Sequence, residues 1–486
     1  MIAFWVVYGL AHASLRYGIS HTLTIDDSRA NELTQNFAFG YQIRQPPLYE
    51  WILWCVQKVV GPGIGSHLFV RYSLIALLGV ATYFAVREAV KDERWAAVAS
   101  FSLVLSYPIG WTFHEWATQT ILLSIACMVS IQAAIRYFER PGVDAAVFLG
   151  AALALGFYSK FSYPLFLGGL VLAALSMPDT RRRLTDVRLL ISVGIALLAL
   201  SPYLFWVINV QGDVVSDLSS HLVQTTQSHV GRALYGLGRL ATSVPTFLLP
   251  WIVFMVLMAP PAFLRPKAVA PRASLAERLS WRTMICAVIL AAVGIVLAGA
   301  TNIAARYMHP LLMIAPVFVF ARVVRLAPGE ERLRGAAIFS IVAAMIIFGI
   351  RFVAVTDNPL TRSAGRALLL PYEELADAVR ERGVTSGTLL SPSVREAGNM
   401  RSFLPELRVI ATDSLRMERP PRRASDDRSC VLVWAEGQEA SARRIARDET
   451  LTGQPIEIAA QPSGLIASRE GKWSFARLDP RSPVCR

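Results

Sequence analysis

The sequence predicts a polytopic α-helical membrane protein that ends in a small soluble α/β domain. Three observations carry this. Apolar residues make up 54% of the 486-residue chain and its mean hydropathy is +0.44, more than an average soluble domain carries. Apolar runs of membrane-spanning length recur through the first 353 residues. From about residue 354 the composition turns polar, rich in Arg, Glu, Ser and Pro, with short apolar runs such as Val431-Leu432-Val433-Trp434. The expected domains are therefore 1–353, transmembrane, and 354–486, soluble.

The apolar runs give about eleven spans, near 3–20, 66–88, 95–113, 116–137, 143–159, 161–177, 188–209, 241–263, 283–300, 308–325 and 335–353. Ala11-His12-Ala13 has the small residues of a cleavage site, but no basic stretch precedes it, so 3–20 is expected as a retained span. The run 46–60 is too short to cross and opens with Pro46-Pro47. It is read as a helix lying at the interface, a depth that suits Trp51 and Trp54. Residues 26–39 also look helical and would lie in the same loop, with Asp26 as the cap. The long loop 210–240 holds His221 and His229 around Gln224-Thr225-Thr226-Gln227; it could cover a sugar, but this histidine spacing does not indicate a metal.

Charge placement sets the orientation. With the N-terminus inside, the inner loops hold 18 Lys and Arg and the outer loops 8, the bias expected of cytoplasmic loops. The loop 26–65 and the region 354–486 then face outward. The net charge of +13 is explained by this bias and by contact with anionic membrane lipids, so no nucleic-acid partner is expected. The chain has no Walker loop, no Rossmann fingerprint and no zinc spacing of Cys and His. Cys55, Cys127 and Cys286 lie in or beside apolar segments. Cys430 and Cys485 lie in the outer region, where a disulfide and two free thiols are both open.

The chemistry concentrates in the first outer loop. Asp26-Asp27-Ser28-Arg29 is followed by Gly40-Tyr41-Gln42-Ile43-Arg44-Gln45-Pro46-Pro47-Leu48-Tyr49. Asp26 and Arg29 are three apart and share a helix face. A local ion pair would explain them alone. Beside Arg44 and a Pro-Pro turn at a membrane surface, they also suit base chemistry next to a lipid phosphate. Lys160 lies between two closely spaced spans and Arg306 at the start of another. Interfacial cations mark either a site or snorkelling to head groups. His114 and Glu115 sit in the outer turn between the third and fourth spans, where Glu115 would also suit the first turn of a helix.

The order of a first span, an outer Asp-acid-x-Arg, a helix, an aromatic Gly-Tyr turn and Pro-Pro-Leu resembles the GT-C superfamily of glycosyltransferases. It is similar above all to the lipid A aminoarabinose transferases and to the bacterial relatives of the protein O-mannosyltransferases. Tyr158-Ser159-Lys160-Phe161-Ser162-Tyr163 resembles a turn of that family, and Ala305-Arg306-Tyr307-Met308-His309-Pro310 resembles its approach to a late span. The resemblance covers about residues 1–350 and stops before the C-terminal domain. It implies Asp26 as catalytic base, with Asp27 in the place of the usual following Glu, and Arg29 on the donor phosphate. Where those transferases carry a basic residue before Pro-Pro, this chain has Gln45, with Arg44 one position earlier.

The expected function is an inverting transfer of a sugar from a polyprenyl-phosphate donor to an envelope acceptor (lipid A or another glycan, a lipid, or a protein hydroxyl) at the outer face of a bacterial inner membrane. Asp26 and Asp27 are the catalytic carboxylates. Arg29, Arg44, Lys160 and Arg306 are the phosphate ligands, and Tyr41, His114, Glu115 and His309 the acceptor or sugar contacts. No cofactor is required, and no metal is indicated, since metal-dependent oligosaccharide transfer would want more outer carboxylates. The rival is a lipid-linked glycan flippase without catalysis. It would more often carry charges within several spans or an internal repeat, and the sequence has few of the first and none of the second.

Overall fold

The computed structural model describes residues 1–115, 118–209, 228–264, 271–355, 366–422, 429–460, 462–463 and 466–485. Helices stand at every predicted span. Six of them are long and apolar enough to cross a bilayer: Ile64–Val90, Thr118–Glu139, Leu189–Asn209, Leu275–Ala298, His309–Leu326 and Glu330–Val355. Val143–Ser159 and Tyr163–Leu175 are shorter apolar helices, and Ile2–Ile19 opens the chain.

Three predicted spans are interrupted, the tenth at Met313-Ile314 between His309–Leu312 and Ala315–Leu326. The third runs as helix Glu93–Ser102, a 3-10 turn Leu103–Leu105 and a π turn Pro108–Thr112, because Pro108 lacks the N–H that a continuing α-helix needs. The eighth divides at Leu249-Pro250 into His229–Leu248 and Trp251–Met258. Helix His229–Leu248 also corrects the loop expected over 210–240: residues from His229 onward are helical, with Ser228 as cap. His221 and Gln224-Thr225-Thr226-Gln227 lie outside the described residues.

The chain forms two compact units, and packing rather than sequence order divides them. One comprises 1–8, 43–46 and 74–347. In it Leu275–Ala298 packs on Tyr163–Leu175, and Val143–Ser159 lies against both Leu189–Asn209 and Thr118–Glu139. Thr118–Glu139 is buried along nearly its whole length, so its face carries side chains that never meet lipid.

The other unit comprises 9–42, 47–73 and 348–486. Most of the 26–65 loop, all but residues 43–46, thus groups with the C-terminal domain. That domain is the α/β unit the sequence predicts. Its strands β1 (Thr388–Ser391), β2 (Arg408–Ala411), β3 (Cys430–Ala435), β4 (Gln454–Ile458) and β5 (Gly471–Leu478) form one sheet in the order β2-β1-β3-β5-β4. β1 runs parallel to β2 and β3, and β5 pairs antiparallel with β3 and β4. β1, β2 and β3 are buried almost throughout, as strands covered on both faces must be.

Helices Tyr372–Glu381 and Val394–Phe403 cover one face, with a core built on Leu375, Val409, Val431 and Phe475. Helix Glu439–Ala446 covers the other, with Leu432, Trp434 and Ala442. Cys430 and Cys485 are joined in a disulfide on this second face. Ile25, at the start of the outer-loop helix, packs against the first core.

Candidate active site

The first outer loop is built on helix Ile25–Leu33, whose sequence IDDSRANEL has little apolar content. It forms because its ends are satisfied. Thr24 is extended (φ −67°, ψ 169°) and its Oγ1 accepts from the Asp27 N–H. Asp26 and Asp27 occupy the first turn, where negative charge meets the positive end of the helix dipole. The cap is therefore Thr24 and not Asp26, which is already inside the helix. This frees the Asp26 carboxylate.

The two aspartates differ sharply. Asp27 is fully buried. Both its oxygens accept from one nitrogen of Arg71, at 2.7 and 2.8 Å, and Oδ2 also accepts from Thr24 Oγ1 at 2.8 Å. His67 Nδ1 lies 3.4 Å from Oδ1. Burial alone would raise the Asp27 pKa. Arg71 and His67 outweigh it and hold the carboxyl well below the usual carboxylate range. Arg71 and His67 are one helical turn apart on Ile64–Val90 and are themselves buried. Sequence reasoning passed over both. Two ionisable groups four residues apart inside an apolar run were the signal that could have found them.

Asp26 is half-buried, with its side chain 35% exposed. It lies 3.8 Å from Arg29, whose side chain is 36% exposed. The i,i+3 pair expected from sequence is therefore formed, and it is open to an incoming ligand. Arg29 Nε is buried without a hydrogen-bond partner among the described residues. Asp413 of the C-terminal domain is close enough to feel the Arg29 charge. Burial raises the Asp413 pKa, and Arg29 draws it partly back.

The polar inner face of this helix is matched by helix Val394–Phe403. Asn399 Oδ1 accepts from the Leu23 N–H at 2.7 Å, and its Nδ2 donates to Ser28 Oγ at 3.0 Å. Asn31 Nδ2 donates to the Gly398 carbonyl at 2.8 Å. Arg401 donates to the carbonyls of Asn31 and of Thr34, the latter at 2.9 Å. Arg416 donates to the carbonyls of Glu32 and Leu33, at 3.1 and 3.0 Å, so the last carbonyls of the helix are satisfied where it ends at Leu33 rather than continuing to 39. The backbones meet at Gly398, where an added Cβ would lie 2.1 Å from the Ser28 carbonyl oxygen. Behind them Glu32 is buried. Its pKa is raised by burial, against the pull of Arg416 and a hydrogen bond from Ser414.

Tyr41 is buried. Its hydroxyl donates to the Asn36 carbonyl at 3.1 Å and accepts from the Ala38 N–H at 3.3 Å. Burial pushes its pKa up to about 12. The phenol thus closes the turn, and no oxygen lone pair is left prominent for a sugar.

The remaining expected residues belong to the other unit. Arg44 is half-buried in the turn before Pro46. Lys160 terminates helix Val143–Ser159 in an extended conformation, and its Nζ donates to Thr120 Oγ1 at 2.8 Å. On helix Thr118–Glu139, one turn after Thr120, Ser124 Oγ meets His309 Nδ1 at 2.9 Å. His309 is buried, stacked on Phe113 with centroids 5.2 Å apart and edge-on to Phe247 at 5.0 Å. His114 is buried too, with Nε2 2.8 Å from the Tyr8 hydroxyl. His309 Nε2 has no hydrogen-bond partner among the described residues. Glu115 is half-buried in the turn Phe113–Glu115. Arg306 is exposed on a 3-10 turn, its guanidinium 5.1 Å from the Tyr307 ring centroid. Among the described residues no group of three His, Cys, Asp or Glu side chains could hold a metal.

Comparison with known proteins agrees with this architecture. Residues 44–206 match the dolichyl-phosphate-mannose-protein mannosyltransferase family. The lipopolysaccharide core galacturonosyltransferase RgtA of Rhizobium johnstonii is 25% identical over 454 residues, covering 90% of this chain and 86% of its own. RgtB of the same organism, also a lipopolysaccharide core galacturonosyltransferase, is 24% identical over 417 residues, covering 85% and 83%. The crystal structure of ArnT from Cupriavidus metallidurans bound to undecaprenyl phosphate superposes with a TM-score of 0.64 at 13% identity, covering 98% of this chain and 97% of that one. The chain thus has an ArnT-like fold and is similar over most of its length to these lipopolysaccharide core glycosyltransferases.

Proposed function

We propose that the protein transfers a sugar from a polyprenyl-phosphate donor to a glycan of the bacterial envelope, at the outer face of the inner membrane. The observation that carries this reading is the half-exposed Asp26, 3.8 Å from Arg29, on a helix fixed from behind by the buried Asp27–Arg71 pair. A carboxylate beside a guanidinium can serve two charges at once. Asp26 removes the proton from the acceptor hydroxyl as general base. The oxygen attacks the anomeric carbon as the bond to the phosphate oxygen breaks, inverting that centre. The charge left on the polyprenyl phosphate falls to Arg29, whose planar fork pairs with two phosphate oxygens. Lys160 and Arg306 are further candidates for phosphate contact on the strength of their places in the family motifs, and Arg44 is one although it stands one position before the motif's basic residue. Asp27 holds the helix rather than the proton.

The names of the relatives suggest which donor and acceptor to try first: a galacturonic acid donor and a lipopolysaccharide core acceptor. The Lys and Arg asymmetry of the loops supports an outward-facing site. So does the Cys430–Cys485 disulfide, since such bonds persist in oxidising compartments. The test is reaction of the purified protein with a panel of polyprenyl-phosphate sugars and extracted core glycan. Release of polyprenyl phosphate together with a new glycoside supports the reading. Retention of every donor by folded protein that still binds it would return the account to the flippase.

A further inference from the structure

The unit that carries the first outer loop encloses a polar cavity of about 120 Å³, walled by Thr34, Gln35, Trp54, Gln57, Lys58 and Arg401 together with two prolines and a leucine. Two of its walls are cationic and none is acidic. Most of the polar wall is already tied down. Thr34 Oγ1 donates to Gln57 Oε1 at 2.9 Å, and Gln57 Nε2 donates to Asn31 Oδ1 at 2.8 Å. Gln35 bonds the Val409 backbone at both ends, at 2.7 and 2.9 Å. Arg401, 7% exposed, caps the outer-loop helix, and the buried Glu32 shares its charge.

Lys58 differs from these. It is exposed, its ammonium lies 5.1 Å over the Trp54 ring, and no carboxylate pairs with it among the described residues. A cation in the last turn of helix Leu48–Val60 complements the helix dipole. That accounts for Lys58 alone, but not for a cavity with a second cation and no acid.

We propose that this cavity is a subsite for an anionic group, phosphate or carboxylate, carried by the acceptor glycan near the hydroxyl that is glycosylated. The inference rests on the transferase reading above. The cavity holds about four waters' worth of space, room for an anionic substituent rather than a buried sugar ring. Lys58 supplies a charge-assisted hydrogen bond. Thr34 lies roughly 12 Å along the helix from Asp26 at the usual rise per residue. A disaccharide can bridge that distance.

The test compares wild-type protein with Lys58→Met and Lys58→Arg on soluble, delipidated core oligosaccharide, intact or stripped of phosphate and with its carboxyls reduced. Lys58→Met is expected to raise KM for the intact acceptor about tenfold with kcat retained, and to leave the neutral acceptor within about twofold. Lys58→Arg restores most of the loss. Equal KM changes on both acceptors, or no change on either, would overturn the subsite. So would a Lys58 effect that appears only with anionic rather than zwitterionic vesicles, since the cavity would then take a lipid headgroup. Transfer that proceeds unaltered in Lys58→Met removes the subsite alone. Absence of transfer by wild type to every acceptor removes the transferase reading with it.

Discussion

Asp26 and Asp27 are neighbours on one helix and end in opposite environments, which decides what each can do. Asp27 is buried on Arg71 and Thr24; Asp26 is partly open beside Arg29. Replacing Asp27 by Asn leaves the Arg71 guanidinium buried without its counter-charge, and such a break costs about 3–5 kcal/mol. Thermal unfolding in detergent checks this. The pH dependence has a definite sign. Because the folded pKa of Asp27 is depressed, its contribution is complete above the ordinary carboxylate range and is lost only as pH falls through the lower folded value. The gap between wild type and Asp27→Asn should therefore stay constant from about pH 6 to 8 and close only in acid. At this scale the Asp26–Arg29 pair was legible, because i,i+3 spacing fixes a shared face. The partners of Asp27 were not, because only the fold brings residue 71 to residue 27. Tyr41, His114 and His309 read as polar residues near a site; Tyr41 and His114 bond within the protein, whereas His309 bonds Ser124 through Nδ1 and its buried Nε2 has no partner among the described residues.

At the scale of elements, the contact that sets the site is helix Ile25–Leu33 against helix Val394–Phe403. Their backbones touch at Gly398 and Ser28, and Asn399 and Arg401 answer the polar face on either side. Gly398→Val should displace the outer-loop helix, since the added atoms meet backbone rather than a side chain that can turn away. A loss of about 1–3 kcal/mol is expected from such overpacking, together with a larger proportional fall in transfer than in stability. Parallel melting and activity measurements distinguish this from general unfolding. The hydrophobic spans were legible element by element because apolar length speaks for itself. The breaks at Pro108 and Pro250 shifted boundaries locally. The polar helix at 25–33 was visible only through its caps, and the carbonyls at its end are met by Arg401 and Arg416, which lie far along the chain.

At the scale of the whole molecule, the sequence separates a membrane region from a soluble domain, and the packing groups residues 9–42 and 47–73 with the C-terminal domain. That domain, through its helix Val394–Phe403, holds the helix that bears Asp26. Its own integrity should then matter for catalysis. The disulfide closes a separation of 55 residues, and removing such a bond typically costs about 2–5 kcal/mol. Cys430→Ser with Cys485→Ser should lower the melting temperature, and reductant should do the same to wild type while leaving the double variant unmoved.

The central claim is that Asp26 takes the acceptor proton, and one substitution tests it most directly. Asp26→Asn keeps the size of the side chain and leaves the buried Asp27–Arg71 pair in place. Transfer from a polyprenyl-phosphate sugar to core glycan by the purified variant should fall by about 10²–10⁴-fold, with wild-type melting and donor binding. Transfer at the wild-type rate by folded Asp26→Asn would contradict the account.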